Sequence, residues 1–264
     1  MKLGMPALLE YGTLEENAAL CAALGLDFIE LNMNLPLCMP DRLDAGLVRR
    51  MSRETGIGFT LHLPEELEPA SFHAAIRRGH LACCLDAMDW AAAAGIGLLN
   101  MHVHNGVYFT LPGGRTWINE AHDAEYAALL HEAFATMYER ASALGLSLCL
   151  ENTCNFQLPF VRKAVDALAG FAPFRLTWDA GHDARTGYLE MPVLMAHADR
   201  IAHMHLHDCA NGSDHRPLYT GEVPINERLA FARARGLSVV IEVKTEEALR
   251  ASVERLRREW LQGG

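Results

Sequence analysis

Short apolar runs alternate along this chain with longer stretches in which apolar residues recur at helical spacing. The short runs are KLGM (2–5), DFIELN (27–32), GFTLHL (58–63), GLLNMHVH (97–104), LSLCLEN (146–152), FRLTWD (174–179), IAHMHLH (201–207) and SVVIEV (238–243). Their length and composition predict strands. The stretches between them, such as LEENAALCAALG, SFHAAIRRGHLACCLDAMDWAAAAG and AEYAALLHEAFATMYERASALG, predict helices. Thr13 and Glu16 fit a capping box for the first of these. Gly25, Gly56, Gly95, Gly145 and Gly236 each fall where a helix should stop and a strand begin. Eight strands, each followed by a helix, predict an α/β fold of the (β/α)8 TIM-barrel type, as one domain over residues 1–264. An open doubly wound sheet is the competing architecture. It would carry a Gly-rich phosphate turn after an early strand, and GMPALLEYG does not supply one.

Composition narrows the partners. The formal net charge of −10 argues against a nucleic-acid surface. The seven cysteines include no C-x-x-C pair, which fits neither a disulfide framework nor a structural zinc knuckle. The apolar run before Glu10 is too short for a signal peptide, and no stretch is long enough to span a bilayer. A reducing, cytoplasmic setting is the expectation.

Catalytic groups of such barrels sit at the C-terminal strand ends. The third strand ends in His62, and the fourth in His102 and His104. The fifth ends in Glu151, and the sixth in Asp179 with His182 just beyond. The seventh carries His205, His207 and Asp208, and the eighth Glu242 and Lys244. Opposite strand ends are mostly apolar or glycine. Unpaired buried charges are costly, so carboxylates facing inward together need a cation. Carboxylates mixed with imidazoles suit Zn2+ or Mn2+, with Mg2+ and Co2+ as further fits. Taken singly, a histidine is more often a satisfied interior residue than a ligand, and Asp179 would also serve as a helix N-cap. Glu151 and Glu242 close the runs LCLE and VVIE, where a glutamate is unfavourable without a partner. The alternation in HMHLHDC (203–209) puts three histidines on one face of a strand, about 7 Å apart, so they occupy different levels of the barrel.

A Glu on strand five, Asp-x-x-His at strand six, His on strand seven and Glu on strand eight resemble the xylose-isomerase-like TIM-barrel superfamily. That superfamily holds sugar isomerases and epimerases together with apurinic endonucleases of the endonuclease IV type. HLHDCANGSDHRPLYTGEV is similar to a loop of its sugar phosphate isomerase/epimerase branch. The resemblance implies a central metal held by Glu151, Asp179, His205 and Glu242, with His182 lining the site. His203 would lie deeper, in a supporting role, and His207 and Asp208 at the rim, where they would meet substrate or order the loop. The implied reaction is isomerisation or epimerisation of a small sugar, sugar phosphate or keto-sugar. Glu151 and Glu242 would move the proton while the metal stabilises an enediolate.

Metal-dependent hydrolysis, including phosphodiester cleavage, is the alternative. In the endonuclease branch the histidines corresponding to His62 and His102 join the strand-five glutamate around a second metal. A third-metal Asp-x-His pair is not matched, because the chain reads Asp214-His215-Arg216. A basic stripe with interleaved aromatics, as a DNA reader needs, is also missing, which favours the sugar enzyme. Residues 105–118, NGVYFTLPGGRTWI, form a long loop after strand four. Tyr108, Phe109 and Trp117 would cover a sugar ring and Arg115 would pair with a phosphate or carboxylate. The same aromatics would also suit a contact between two copies in a homo-oligomer. Arg216 and Tyr219 are further substrate-contact candidates, and Asn152 and Gln157 weaker ones. Lys244 reads as a solvated rim lysine.

Overall fold

Leu3, Met5, Ile29, Leu61, Leu99, Leu148, Leu176 and Val239 sit on short strands that have both faces covered, the condition for an all-parallel sheet. In a computed structural model of the chain, which describes residues 1–261, these strands close into a barrel. The strands are β1 (Lys2–Pro6), β2 (Phe28–Asn32), β3 (Gly58–His62), β4 (Leu98–His102), β5 (Tyr108–Leu111), β6 (Gly114–Trp117), β7 (Ser147–Glu151), β8 (Arg175–Asp179), β9 (Ile201–Leu206), β10 (Asp208–Ala210), β11 (Ser213–Arg216) and β12 (Ser238–Ile241). The barrel runs in the order β1-β12-β9-β8-β7-β4-β3-β2, with helices between successive strands: a (β/α)8 TIM barrel. All eight predicted strands are present, and most bounds differ from the sequence reading by one or two residues.

The helix signals act as expected. Thr13 accepts from the Glu16 amide, and the Glu16 carboxylate accepts in return from the Thr13 amide, completing the capping box of helix Leu14–Ala23. Gly56, Gly95, Gly145 and Gly236 close their helices in the left-handed conformation. Two hairpins depart from the sequence reading. Residues 105–118 are not an open loop: β5 and β6 pair antiparallel, with Tyr108 opposite Trp117. After β9 the chain turns back through β10 and β11 before its next helix. Pairs at register Asp179↔His205 and Val240↔His205 bring the C-terminal ends of β8, β9 and β12 to one level. No helix among the described residues is long and apolar enough to cross a membrane, and all seven cysteines are free.

At the opposite end of the barrel, Gly4 lies level with Phe28 on the neighbouring strand. A Cβ on Gly4 would stand 2.5 Å from the Phe28 ring. Gly4→Ala is therefore expected to lower stability by about 1–3 kcal/mol, read from urea unfolding. Asp183, in helix Ala180–Arg185, is fully buried; Oδ2 accepts from Trp178 Nε1 at 3.3 Å while Oδ1 has no partner. Burial, then the charge of Glu190, pushes its carboxyl up to about 6. The native state is thus penalised for the charged form above that pH, and the penalty fades as the pH falls from 6 towards 4. Asp183→Asn should raise stability by about 1–3 kcal/mol at neutral pH and by little near pH 4, checked by melting curves across that range.

Candidate metal centre

The strand ends carry four buried donors to one point. Atoms of Glu151 (end of β7), Asp179 (end of β8), His205 (on β9) and Glu242 (just past β12) all lie within 4.8 Å of one another. Glu242 keeps strand geometry there, because its amide donates to the Leu206 carbonyl at 3.0 Å. These are the four residues that the sequence resemblance implied as ligands. His205 Nδ1 stands 3.2 Å from Glu151 Oε1 and 3.1 Å from Glu242 Oε2, yet neither approach has hydrogen-bond geometry. Glu242 Oε2 is likewise buried without a hydrogen-bond partner.

Electrostatics show what the cluster demands. Burial alone would raise the pKa of each carboxyl. The charges of His205 and His102 overcome it at Glu151, those of Lys244 and His205 at Glu242, and those of His182 and His207 at Asp179. All three stay ionised. Burial would push His205 down, but Glu151, Glu30 and Glu242 hold it well above the ordinary histidine value. Three ionised carboxylates around one imidazole favour positive charge in their midst. Three oxygens and one nitrogen fit a divalent ion such as Zn2+ or Mn2+.

Each donor is steadied by a neighbour. The Asn100 amide donates to Glu151 Oε2, and Thr177 Oγ1 donates to Asn100 Oδ1 at 2.7 Å. Lys244 Nζ bonds Glu242 Oε1 at 2.7 Å, so the rim lysine of the sequence reading is paired to the cluster. Asp179 Oδ1 caps the following helix through the His182 amide at 2.6 Å, so its N-cap role and its place in the cluster coexist. Asn152 brackets the Asp179 backbone, accepting its amide at 2.7 Å and donating to its carbonyl at 3.0 Å.

His207 sits differently from its expected place at the rim. It is fully buried, with Nε2 3.1 Å from Asp179 Oδ2. Its Nδ1 accepts the amide of His215 at 2.8 Å. Burial would depress this ring's pKa, and Asp179 draws it up to about 9. The His215 amide pulls the other way, since it is satisfied only by a lone pair on Nδ1. Gly181 makes room for it, since a Cβ there would overlap the His207 ring. The sequence pattern put His207 on the correct face; its depth came from the β10–β11 hairpin folding back over it.

The other candidates fall into two groups. His62 Nε2, His102 Nε2 and Glu151 Oε2 converge, with separations of 3.2 and 3.4 Å. His62 Nδ1 is held by the Leu63 carbonyl at 2.7 Å, which leaves Nε2 facing the cluster. His182 stands at the mouth, with Nδ1 3.2 Å from Asp179 and Nε2 3.7 Å from Asp214. Arg216, on β11, has a buried Nε without a partner. Tyr108, Arg115 and Trp117 pack on one another on the β5–β6 hairpin, with Tyr108 and Trp117 edge to face and the Arg115 guanidinium 4.7 Å above the Tyr108 ring. Tyr219 bonds Asn226, and Gln157 the Cys154 carbonyl. Sequence reasoning missed Asn100, Thr177 and Glu30. All three are polar residues inside apolar strands, a signal weighed only at strand ends.

Asp208 organises the mouth. Its buried carboxylate accepts amides from Cys209, Thr220, Gly221 and Val223 at 2.8–3.0 Å. Asp208→Ala should cost about 2–4 kcal/mol of stability and speed hydrogen exchange at residues 220–223, with strand amides protected as before.

Comparison with known proteins follows the same lines. The sequence matches the family described as "Xylose isomerase-like TIM barrel" over residues 18–259. None of the curated proteins matches it significantly. Among solved structures, a D-tagatose 3-epimerase-like protein superposes with a TM-score of 0.78 at 20% identity, covering 99% of this chain and 97% of that one. The TTHB071 protein from Thermus thermophilus, soaked with ZnCl2, gives 0.72 at 25% identity over 98% and 99% of the two chains. A 3-keto-D-glucoside 4-epimerase from E. coli gives 0.74 at 17% identity over the full length of both. With its closed eight-stranded barrel and a match across residues 18–259, the chain belongs to the xylose isomerase-like TIM barrel family.

Proposed function

We propose that this chain is a metal-dependent isomerase or epimerase of a small sugar, sugar phosphate or keto-sugar, moving a proton at the carbon beside a carbonyl. The observation that carries the reading is the convergence of Glu151, Asp179, His205 and Glu242 from four strands at the barrel mouth. These four residues would hold a divalent ion, which when bound supplies Lewis-acid polarisation of a carbonyl and a neighbouring hydroxyl oxygen. Glu151 and Glu242 reach the shared space from strands three places apart in the barrel. One takes the proton from a substrate carbon and the other, having gained a proton from solvent, gives it to the opposite face, or a single carboxylate moves the proton to the adjacent carbon. Asn100 fixes Glu151 and Lys244 fixes Glu242, so each carboxylate keeps its aim during the transfer. His182 and Arg216 face substrate oxygens from the mouth. Beside Lys244 a cavity of about 280 Å³, walled by Pro6, Ala7, Leu8, Leu9 and Leu35 with Asn32 and Asn34, takes the rest of a small ligand. The hairpin bearing Tyr108, Arg115 and Trp117 acts as the lid.

The names of two structural neighbours, a D-tagatose 3-epimerase-like protein and a 3-keto-D-glucoside 4-epimerase, support a sugar substrate, and the zinc-soaked neighbour supports Zn2+. A second reading, hydrolysis by two metals, draws on the His62–His102–Glu151 cluster beside the first.

Metal-reloaded protein incubated with ketohexoses in D2O is expected to place deuterium at the carbon beside the carbonyl. Glu151→Gln and Glu242→Gln should each slow that exchange by about 10²–10⁴-fold. Absence of wash-in, together with two bound metals per chain and chelator-sensitive cleavage of an abasic duplex, would replace this reading with the hydrolase.

A further inference from the structure

The imidazole that faces the metal cluster has a second nitrogen, and that nitrogen faces a carboxylate below. His205 Nε2 lies 2.8 Å from Oε1 of Glu30, on β2, a charge contact that, like those of Nδ1, lies outside hydrogen-bond geometry. The other oxygen of Glu30, Oε2, lies 3.1 Å from His203 Nε2 and accepts from Thr60 Oγ1 at 3.1 Å. His203 Nδ1 then meets Ser238 Oγ at 2.6 Å, at the first residue of β12. Glu30 is 2% exposed, and both histidines are fully buried. A leucine at position 30 would fill this layer without the cost of a buried charge, so the carboxylate asks for a reason.

The reason follows from donor and acceptor roles. An ionised carboxylate accepts hydrogen bonds and cannot donate them. Glu30 bonds His203 Nε2 through Oε2, and the charge on its Oε1 stands 2.8 Å from His205 Nε2, so it favours a proton on Nε2 of both rings. In His203 this leaves Nδ1 to accept the Ser238 hydroxyl. In His205 it leaves Nδ1, the atom facing Glu151 and Glu242, to offer its lone pair to a cation. We propose that Glu30 is a positioning residue: it fixes the tautomer and ring plane of His205 so that Nδ1 faces the centre enclosed by Glu151, Asp179 and Glu242. His203, Thr60 and Ser238 hold Glu30 in place for that task. This rests on reading the centre as a divalent-metal site.

A glutamine at position 30 keeps the shape but not the role. Its amide accepts from one ring and donates to the other, so one of the two histidines has to give up its Nε2 proton. The test is calorimetric titration of chelator-stripped, full-length protein with Zn2+ and with Mn2+. Glu30→Gln should bind about 10–100-fold more weakly than wild type, with the melting temperature of the metal-free protein little changed. In protein loaded with cadmium-113 and labelled with nitrogen-15 histidine, wild type should show the metal coupled to Nδ1 of His205 and a proton on its Nε2. Wild-type affinity in Glu30→Gln, or coupling at Nε2, overturns the inference. Should Glu30→Gln not fold, Thr60→Val decides, since it leaves Glu30 but removes its hydroxyl donor: weakening of about threefold or more supports the role, and unchanged binding overturns it. Wild-type protein that binds neither ion overturns the metal reading itself, whereas tight wild-type binding matched by the variant overturns only the part given to Glu30.

Discussion

Four carboxylates lie inside one end of this barrel, and none of them is more than 7% exposed. Glu30, Glu151, Asp179 and Glu242 could not share that space as bare charges, since each loses its hydration and repels the others. The arrangement around them answers that repulsion. His205 stands among Glu151, Asp179 and Glu242 and reaches down to Glu30. His62 and His102 crowd the outer side of Glu151, and His182 and His207 that of Asp179. The histidine-rich mouth is a charge-balancing lattice, and its four central side chains would hold a divalent ion.

The lattice is assembled across strands. Glu151 on β7 is aimed by Asn100 on β4, and Asn100 is aimed in turn by Thr177 on β8. Asp179 is gripped by His207 beyond β9 and by Asn152 beyond β7. The barrel register therefore sets the geometry of the donors, and a slip of one residue in any strand would turn its polar side chains outward. The mouth hairpins are less bound by this rule. They can vary in length and sequence while the donors beneath stay fixed, which is how one barrel serves different reactions.

Asp208 and His207 connect the two regions. Asp208 gathers four amides of the returning loop, and His207 receives a fifth from His215 while bonding Asp179. A change in this loop would reach Asp179 by way of His207, through two hydrogen bonds. The loop above β9 thus both roofs the site and helps set its charge.

Much of this was legible in the chain itself. Alternating apolar runs and capped helices specify the barrel, because strand and helix periods are local properties. Glu151 and Glu242 announced themselves by closing apolar strands, and HMHLHDC showed that its histidines share one face. Depth and partnership are not local. Glu30 carries the same signal, a glutamate inside an apolar strand, but only the closed barrel puts it beneath His205. His207 is one pleat from His205 in sequence, yet a hairpin folding back over it makes it a buried partner of Asp179. The sequence alone determined which side chains face inward. Which of them meet was decided by strand tilt, register and loop return, since those contacts join residues as far apart in sequence as Glu30 and His205.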